Sequence, residues 1–373
     1  MILNGMISVV SEFSGHNINQ KICNYADEMK EPNWIKLPLV PFSWLYGLIA
    51  GIRNWLYDQE LFASHRPDQF TISVGNITVG GTGKTPMVEY ITEKIKSQCS
   101  IAILSRGYGR KTNGLLFADN QSTAKDIGDE PLQYFRKYGK SAIVAVCEDR
   151  VKGARAIHQQ YPECNVLLLD DAFQHRRIKR DINILLSDYN RPFYHDLPLP
   201  AGRLREFRSG AERADLIITT KCPPGLRESE KSEIRKQISR YSRQHVPVFF
   251  ASIRYAPPVG FDHNPVALKK VKVVAGIARP QPFLTFVKEQ YEVMEEIIYP
   301  DHHNYTREDF EHLIKNLKSD TFVLTTEKDM VKLKPLARQY QKMASFAFIP
   351  IGVDLGSDTD AFDDWMNNMD MLR

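Results

Sequence analysis

The run Ser73-Val-Gly-Asn-Ile-Thr-Val-Gly-Gly-Thr-Gly-Lys-Thr-Pro86 constrains this chain of 373 residues more than any other segment. An apolar strand candidate, Phe70–Val74, leads into a glycine-rich loop. The stretch after it places Met87, Val88, Ile91 and Ile95 on one helical face. Pro86 falls in the first turn of that helix, where its missing N–H leaves no bond unmade. Gly80, Gly81 and Gly83 allow peptide N–H groups to turn inward around an anion that side chains would block. The helix start adds positive potential. Residues Thr78, Val79, Gly80, Gly81, Thr82, Gly83, Lys84 and Thr85 are therefore the expected seat of the phosphates of ATP. Lys84 would reach the β- and γ-phosphates, and Thr85 would offer its hydroxyl to Mg2+. The common pattern G-x-x-x-x-G-K-[ST] would put glycine at Thr78, so the assignment leans on the strand-loop-helix context.

Further short apolar runs follow: Ile101–Leu104, Ala142–Val146, Val166–Leu169, Ile182–Leu186 and Leu216–Thr219. Continuous runs of this kind suit strands buried on both faces of a parallel sheet, with helices between them. The run at Val166 ends in Asp170 and Asp171, and such acids hold Mg2+ beside the phosphate loop of nucleotide enzymes. Pro223, Pro224 and Gly225 then break the pattern, and Val248–Ile253, Val271–Gly276 and Phe322–Thr325 read as strands of a second unit. The expected fold is α/β: a P-loop NTPase-like, mostly parallel sheet with flanking helices, a second smaller α/β domain and an N-terminal membrane-interface helix. The expected division is an N-terminal extension over 1–33, expected to be disordered, an ATP-binding domain over 34–225 and a second domain over 226–373. Met29 stands as an alternative translation start, and Asp360–Met371 as a terminal helix.

The segment from Leu37 to Ile52 carries no charge and lies between Lys36 and Arg53. It is shorter than the ~20 residues of a spanning helix. Trp44, Leu45, Leu48, Ile49, Ile52 and Leu56 recur at helical spacing, and Trp34, Tyr46, Trp55 and Tyr57 add rings suited to a headgroup layer. Two readings stand: a helix lying in one leaflet over about 37–57, or a helix buried against the sheet. The net charge of +4 is too small to argue for nucleic acid and fits a protein that handles phosphates or an anionic bilayer. Five cysteines at wide spacing form no Cys-x-x-Cys pair, which points to a reducing compartment and to neither a zinc site nor a disulfide framework.

Seven strings, in order, resemble the tetraacyldisaccharide 4′-kinase family: Ser73–Pro86, Ser105–Gly109 (SRGYG), Gly128–Pro131 (GDEP), Asp170–His175 (DDAFQH), Leu199–Glu206 (LPAGRLRE), Pro300–His302 (PDH) and Thr326–Leu333 (TEKDMVKL). The resemblance covers nearly all of the chain after about residue 40. It implies ATP-dependent phosphorylation of the 4′-hydroxyl of a tetraacylated glucosamine disaccharide 1-phosphate in lipid A biosynthesis, by a peripheral enzyme on the cytoplasmic face of the bacterial inner membrane. It implies a catalytic pair, Asp129 and His302, assembled when two domains close. The acylated substrate and an anionic membrane surface are the expected partners, without nucleic acid or an obligate protein partner. His175, Arg203, Arg205 and Glu206 are candidate substrate contacts. Glu206 is also a candidate metal carboxylate, and His303 is an alternative to His302. The chain departs from the family pattern at Ala172, where glycine is frequent, and at Ile277-Ala-Arg-Pro280.

Two competing readings remain at this level. A P-loop GTPase would need a guanine-reading string, and Thr220-Lys-Cys-Pro223 lacks its aspartate. A membrane-bound ATP sensor would need the phosphate loop without a base.

Overall fold

A computed structural model describes residues 37–368. The expected N-terminal extension, the alternative start at Met29, Trp34 and the last residues of the terminal helix lie outside that range. The first long element is α1 (Val40–Asp58). The phosphate-loop unit follows as β1 (Phe70–Gly75), α2 (Lys84–Ile95), β2 (Ile101–Ser105) and β3 (Leu116–Phe117). Next come α3 (Ala124–Ile127), α4 (Asp129–Tyr138), β4 (Ala142–Val146), α5 (Arg150–Gln160), β5 (Val166–Asp170), β6 (Ile182–Asp188) and β7 (Leu216–Thr220). The chain then continues through α6 (Glu228–Ser239) and β8 (Val248–Phe250).

These strands form one eight-stranded sheet in the order β3-β4-β2-β5-β1-β6-β7-β8. Only β3 runs antiparallel to its neighbour; the remaining pairs are parallel. The apolar runs predicted from the sequence are its buried centre. Ile72, Val74, Ile103, Leu168 and Ile184 are fully buried there with Met87, Val88 and Ile91 of α2, so the helix face read from the spacing is the face that covers the sheet.

A second sheet has the order β10-β14-β13-β11-β12. After β9 (Ser252–Tyr255), which lies outside this sheet, its strands are β10 (Val259–Gly260), β11 (Lys270–Ala275), β12 (Glu292–Ile298), β13 (Thr321–Thr326) and β14 (Phe346–Ile349). The helices of this lobe are α7 (Gln281–Gln290), α8 (Arg307–Ile314) and α9 (Glu327–Gln339). Strand β15 (Ile351–Asp354) pairs antiparallel with β9 and returns the chain to the first lobe, where α10 (Thr359–Asn367) ends it. The expected boundary at 225/226 does not coincide with the sheets. Strand β8 completes the first sheet, and Phe362 and Met366 of α10 are buried in the first sheet's core. The predicted single strand Val248–Ile253 is two strands, divided between that sheet and the β9–β15 ribbon.

Helix α1 stands on the outside of the first lobe. Phe42, Trp44, Leu45, Leu48, Ile49, Ile52 and Trp55 are all more than half exposed, which rules out the reading of a helix buried against the sheet. Its contact with the body is narrow. Ser43 and Gly47 are its buried residues. A Cβ on Gly47 would sit 2.5 Å from the Phe207 ring, so glycine is what allows the backbone to rest on that ring. Ser43 Oγ accepts from the Ala201 N–H at 2.8 Å, Asn54 donates to Glu206 at 2.7 Å, and Arg176 pairs with Asp58 at 2.6 Å. Among the described residues no helix is long and apolar enough to cross a membrane.

Because α10 closes the first core rather than the second, Phe362→Ala should destabilise the chain by about 3–5 kcal/mol, the range for truncating a buried aromatic. Denaturant unfolding followed by fluorescence checks this. A loss below about 1 kcal/mol would show that the C-terminal helix contributes no core packing.

Candidate active site

The glycine-rich loop is braced by a segment from far along the chain. Gly80 and Gly83 take positive φ, +115° and +85°, and Gly83 caps α2. Thr78 forms an antiparallel bridge with Leu204, the Val79 N–H donates to the Arg203 carbonyl at 2.8 Å, and the Arg205 N–H donates to the Ile77 carbonyl at 2.7 Å. Extended pairing explains the missing first glycine, since position 78 does not need positive φ. From inside, Asn76 donates to Thr82 Oγ1 at 2.7 Å and Thr220 Oγ1 donates to the Thr82 carbonyl at 2.8 Å. Lys221 donates to the Gly81 carbonyl and pairs with Asp188 at 2.8 Å. The rigid strands of the sheet therefore hold a loop whose amides are left for an anion.

The two acids after β5 divide. Asp171 takes positive φ, +47°, and meets Arg205 at 3.1 Å and Lys84 at 3.7 Å. Asp170 is buried, accepts from Ser105 Oγ at 3.1 Å, and keeps Oδ1 without a protein partner. Burial pushes its carboxyl up to about 7, helped by the nearby Glu130 and Asp171 charges. An excess of acid with an unpartnered buried oxygen suits a cation. No group of three or more His, Cys, Asp or Glu among the described residues is arranged to hold a metal alone.

Asp129 begins α4, after Gly128 at φ +94°. A Cβ at 128 would meet the Tyr108 carbonyl at 2.7 Å, so the SRGYG and GDEP strings are pressed together. Across from it, His302 lies in the turn after β12, also at positive φ, +59°. Its Nδ1 is 3.2 Å from Asp129 Oδ2, and Lys332 Nζ of α9 is 3.1 Å from the same oxygen. Burial alone would raise the Asp129 carboxyl; the His302 hydrogen bond and Lys332 outweigh it and hold it low. The Asp129 hydrogen bond holds the His302 imidazole above its ordinary value against partial burial. Glu130 lies close enough to Asp170 to raise its carboxyl, so the start of α4 faces the acids of the phosphate site.

The other candidates have definite places. His303 is engaged by Asp309 at 2.9 Å and stacks on Tyr299, which leaves His302 as the histidine that meets Asp129. Arg205 is in the site through Asp171. Arg203 pairs with Asp196 at 3.1 Å and offers its carbonyl to the loop. Glu206 is buried and taken up by Arg213 at 2.7 Å, Asn54 at 2.7 Å and Gln174 at 3.1 Å, so it anchors α1. His175 is half-buried; burial, with Arg150 and Arg180, pushes its imidazole down to about 4. Ala172 is buried without positive φ, so the departure from glycine there introduces no backbone strain. The contacts of Asn76, Ser105, Thr220, Lys221 and Lys332 at this site were not read from the sequence. All but Ser105 and Lys332 act on backbone carbonyls or neighbouring hydroxyls and carboxylates around the loop, contacts that spacing does not reveal.

The fold and site define a nucleotide-binding α/β protein of the phosphate-loop type. A family model described as tetraacyldisaccharide-1-P 4′-kinase matches residues 35–370. The tetraacyldisaccharide 4′-kinase of Cytophaga hutchinsonii is 40% identical over 330 residues, covering 87% of this chain and 93% of that protein. That of Parabacteroides distasonis is 40% identical over 340 residues, covering 86% and 91%. The crystal structure of LpxK from Aquifex aeolicus in complex with ATP superposes with a TM-score of 0.72 at 28% identity, covering 89% of this chain and 99% of that one. The chain belongs to the tetraacyldisaccharide 4′-kinase family.

Because the carboxylate raises the imidazole's proton affinity, Asp129→Asn should lower the midpoint of His302 towards the ordinary ~6.5 of a free histidine. The stabilisation from this pair is fully present below that ordinary value and is lost as pH rises through the elevated one. Titration of the His302 ring by NMR in both proteins reads the difference; an unchanged midpoint would mean the pair is not formed in solution.

Proposed function

We propose that this kinase transfers the γ-phosphoryl group of ATP to the 4′-hydroxyl of a tetraacylated glucosamine disaccharide 1-phosphate while α1 rests in the surface of a bilayer. The observation that carries the reading is the approach of His302, from one lobe, to Asp129, at the head of a helix that faces the phosphate-loop acids. A sugar hydroxyl is a weak nucleophile, and a positioned base assists as the new bond to phosphorus forms. The Asp129 carboxylate is charged and oriented. The hydroxyl proton passes to the Asp129–His302 pair. Lys84 and the amides of residues 80–85 hold the triphosphate in line. Thr85, Asp170 and Asp171 would hold Mg2+, which when bound neutralises charge on the β- and γ-phosphates. Building the base from two lobes limits transfer to water when no acceptor has closed the cleft.

The bilayer part of the reading is supported by α1. A helix with most of its large apolar side chains exposed, ringed by Trp44, Tyr46 and Trp55, matches elements that lie in the headgroup boundary. The exposed Arg53 packs on the Tyr57 ring near the helix's far end, where a cation favours anionic headgroups. An acylated acceptor held in the leaflet would then present its sugar to a cleft carried at the membrane surface. The cytoplasmic leaflet is where ATP is available.

The direct test supplies γ-labelled ATP, Mg2+ and the disaccharide monophosphate to the purified chain. Label should appear on the glycolipid, chelation with EDTA should abolish transfer, and Lys84→Ala should reduce it by about 100-fold or more, as removal of a phosphate-binding charge does. Label released only as inorganic phosphate would contradict the assignment. In a separate sedimentation assay with anionic vesicles, Trp44→Glu with Ile49→Glu should weaken partitioning by at least about 10-fold, since each removes an apolar group worth roughly 1.5–3 kcal/mol. ATP affinity should stay within about 2-fold. Unchanged partitioning would remove α1 from the membrane contact.

A further inference from the structure

Helices α4 and α9 meet across the two lobes and are joined by two ion pairs of opposite sense. At one end, Asp129 of α4 meets Lys332 of α9 at 3.1 Å. At the other, Lys137 of α4 meets Glu327 of α9 at 3.4 Å and Glu89 of α2 at 2.7 Å. The Lys332 side chain is only 5% exposed and Asp129 only 11%. A buried ammonium is costly unless a carboxylate compensates it, so a lysine at this depth is held by its partner. Asp329, one turn back on α9, is more distant at 3.9 Å, and the Tyr305 ring lies beneath the ammonium at 5.8 Å.

His302 and Lys332 address the same oxygen, Oδ2 of Asp129. The two contacts differ in kind. The His302 side chain is 46% exposed, sits in a turn, and has Lys328 at 3.2 Å and Asp301 at 3.8 Å on its other nitrogen. Lys332 projects from a packed helix and is buried. A carboxylate held only from an exposed turn keeps freedom to rotate and so to change its proton affinity. A cation on a packed helix removes that freedom.

We propose that Lys332 is a positioning residue for phosphoryl transfer: from the second lobe it locks Oδ2 of Asp129, leaving the carboxylate's other oxygen for the acceptor. This rests on the assignment of Asp129 to the acceptor hydroxyl. It assigns a role to the TEKDMVKL string beyond packing, because the string delivers a buried cation to the first lobe. Loss of the ammonium lets the carboxylate rotate and raises the proton affinity of Asp129. It also strengthens the grip of Asp129 on the imidazolium, so both effects move the acidic limb of the rate profile in the same direction, to higher pH.

The test compares wild type, Lys332→Met, Lys332→Arg and Asp129→Asn by steady-state transfer of label from ATP to the disaccharide monophosphate across pH 5 to 9. Lys332→Met should lower kcat by about 10- to 100-fold, the usual loss for an outer positioning contact, with KM for ATP within about 3-fold. Its acidic limb should move up by about one pH unit, and Lys332→Arg should recover most of the rate and the limb. In Asp129→Asn, adding Lys332→Met should cost little more, because the two act through one group. Should Lys332→Met fail to fold by circular dichroism, Lys332→Gln takes its place in every comparison. A rate loss without the limb shift, an arginine variant no better than methionine, or additive losses in the double variant would each overturn the proposal. Wild-type transfer in Asp129→Asn would instead overturn the role of Asp129, a separate outcome.

Discussion

The two lobes of this molecule meet at one buried carboxylate, Asp129. Asp129 is nine-tenths buried, yet its proton affinity is held below the ordinary carboxylate value. Burial disfavours a charge, so that state persists only while the His302 hydrogen bond and the Lys332 ammonium stand beside it. Both partners come from the other lobe, one on a turn and one on a helix. The relative placement of the two sheets is therefore written into the electrostatics of a single side chain. The opposing Lys137–Glu327 pair sets the other end of the same helix contact.

The phosphate loop depends on a different kind of constraint. Its conformation is secured by backbone pairing to residues 203–205 and by the Thr220 and Lys221 contacts at the end of β7. The first of these also carries the seat of α1, through Ala201, Glu206 and Phe207. One segment thus links the nucleotide cradle to the apolar outer helix, and its neighbour Arg205 reaches Asp171 in the site.

Most of the first lobe was legible in the sequence because its strands are buried on both faces. Ile101, Val166, Ile184 and Leu216 lie in continuous apolar runs that declare themselves without neighbours. Strand β12, Glu292–Ile298, was not legible. It is an edge strand with alternating exposure, and its Glu292, Glu295 and Glu296 obscure the apolar positions. Strand β14 escaped because Phe346–Ile349 is brief and follows a polar helix end. The membership of β8 in the first sheet and of α10 in its core could not be read from order along the chain, since contacts across such separations are set by the tertiary fold. In the site, the phosphate-loop residues follow from local chemistry. The pairing of Asp129 with His302 came from resemblance to a family, since the two are 173 positions apart. Lys332 gave no signal, because a lysine in a charged helical string ordinarily faces water.

The central claim is that Asp129 serves the acceptor hydroxyl and not the nucleotide. Calorimetric titration of ATP with Mg2+ into Asp129→Asn, beside single-turnover transfer to the disaccharide monophosphate, separates these roles directly. The account predicts a dissociation constant within about 3-fold of wild type and a transfer rate lower by about 100-fold or more, the range for removing a positioned base. Loss of nucleotide affinity in step with the rate, or transfer at the wild-type rate, would contradict it.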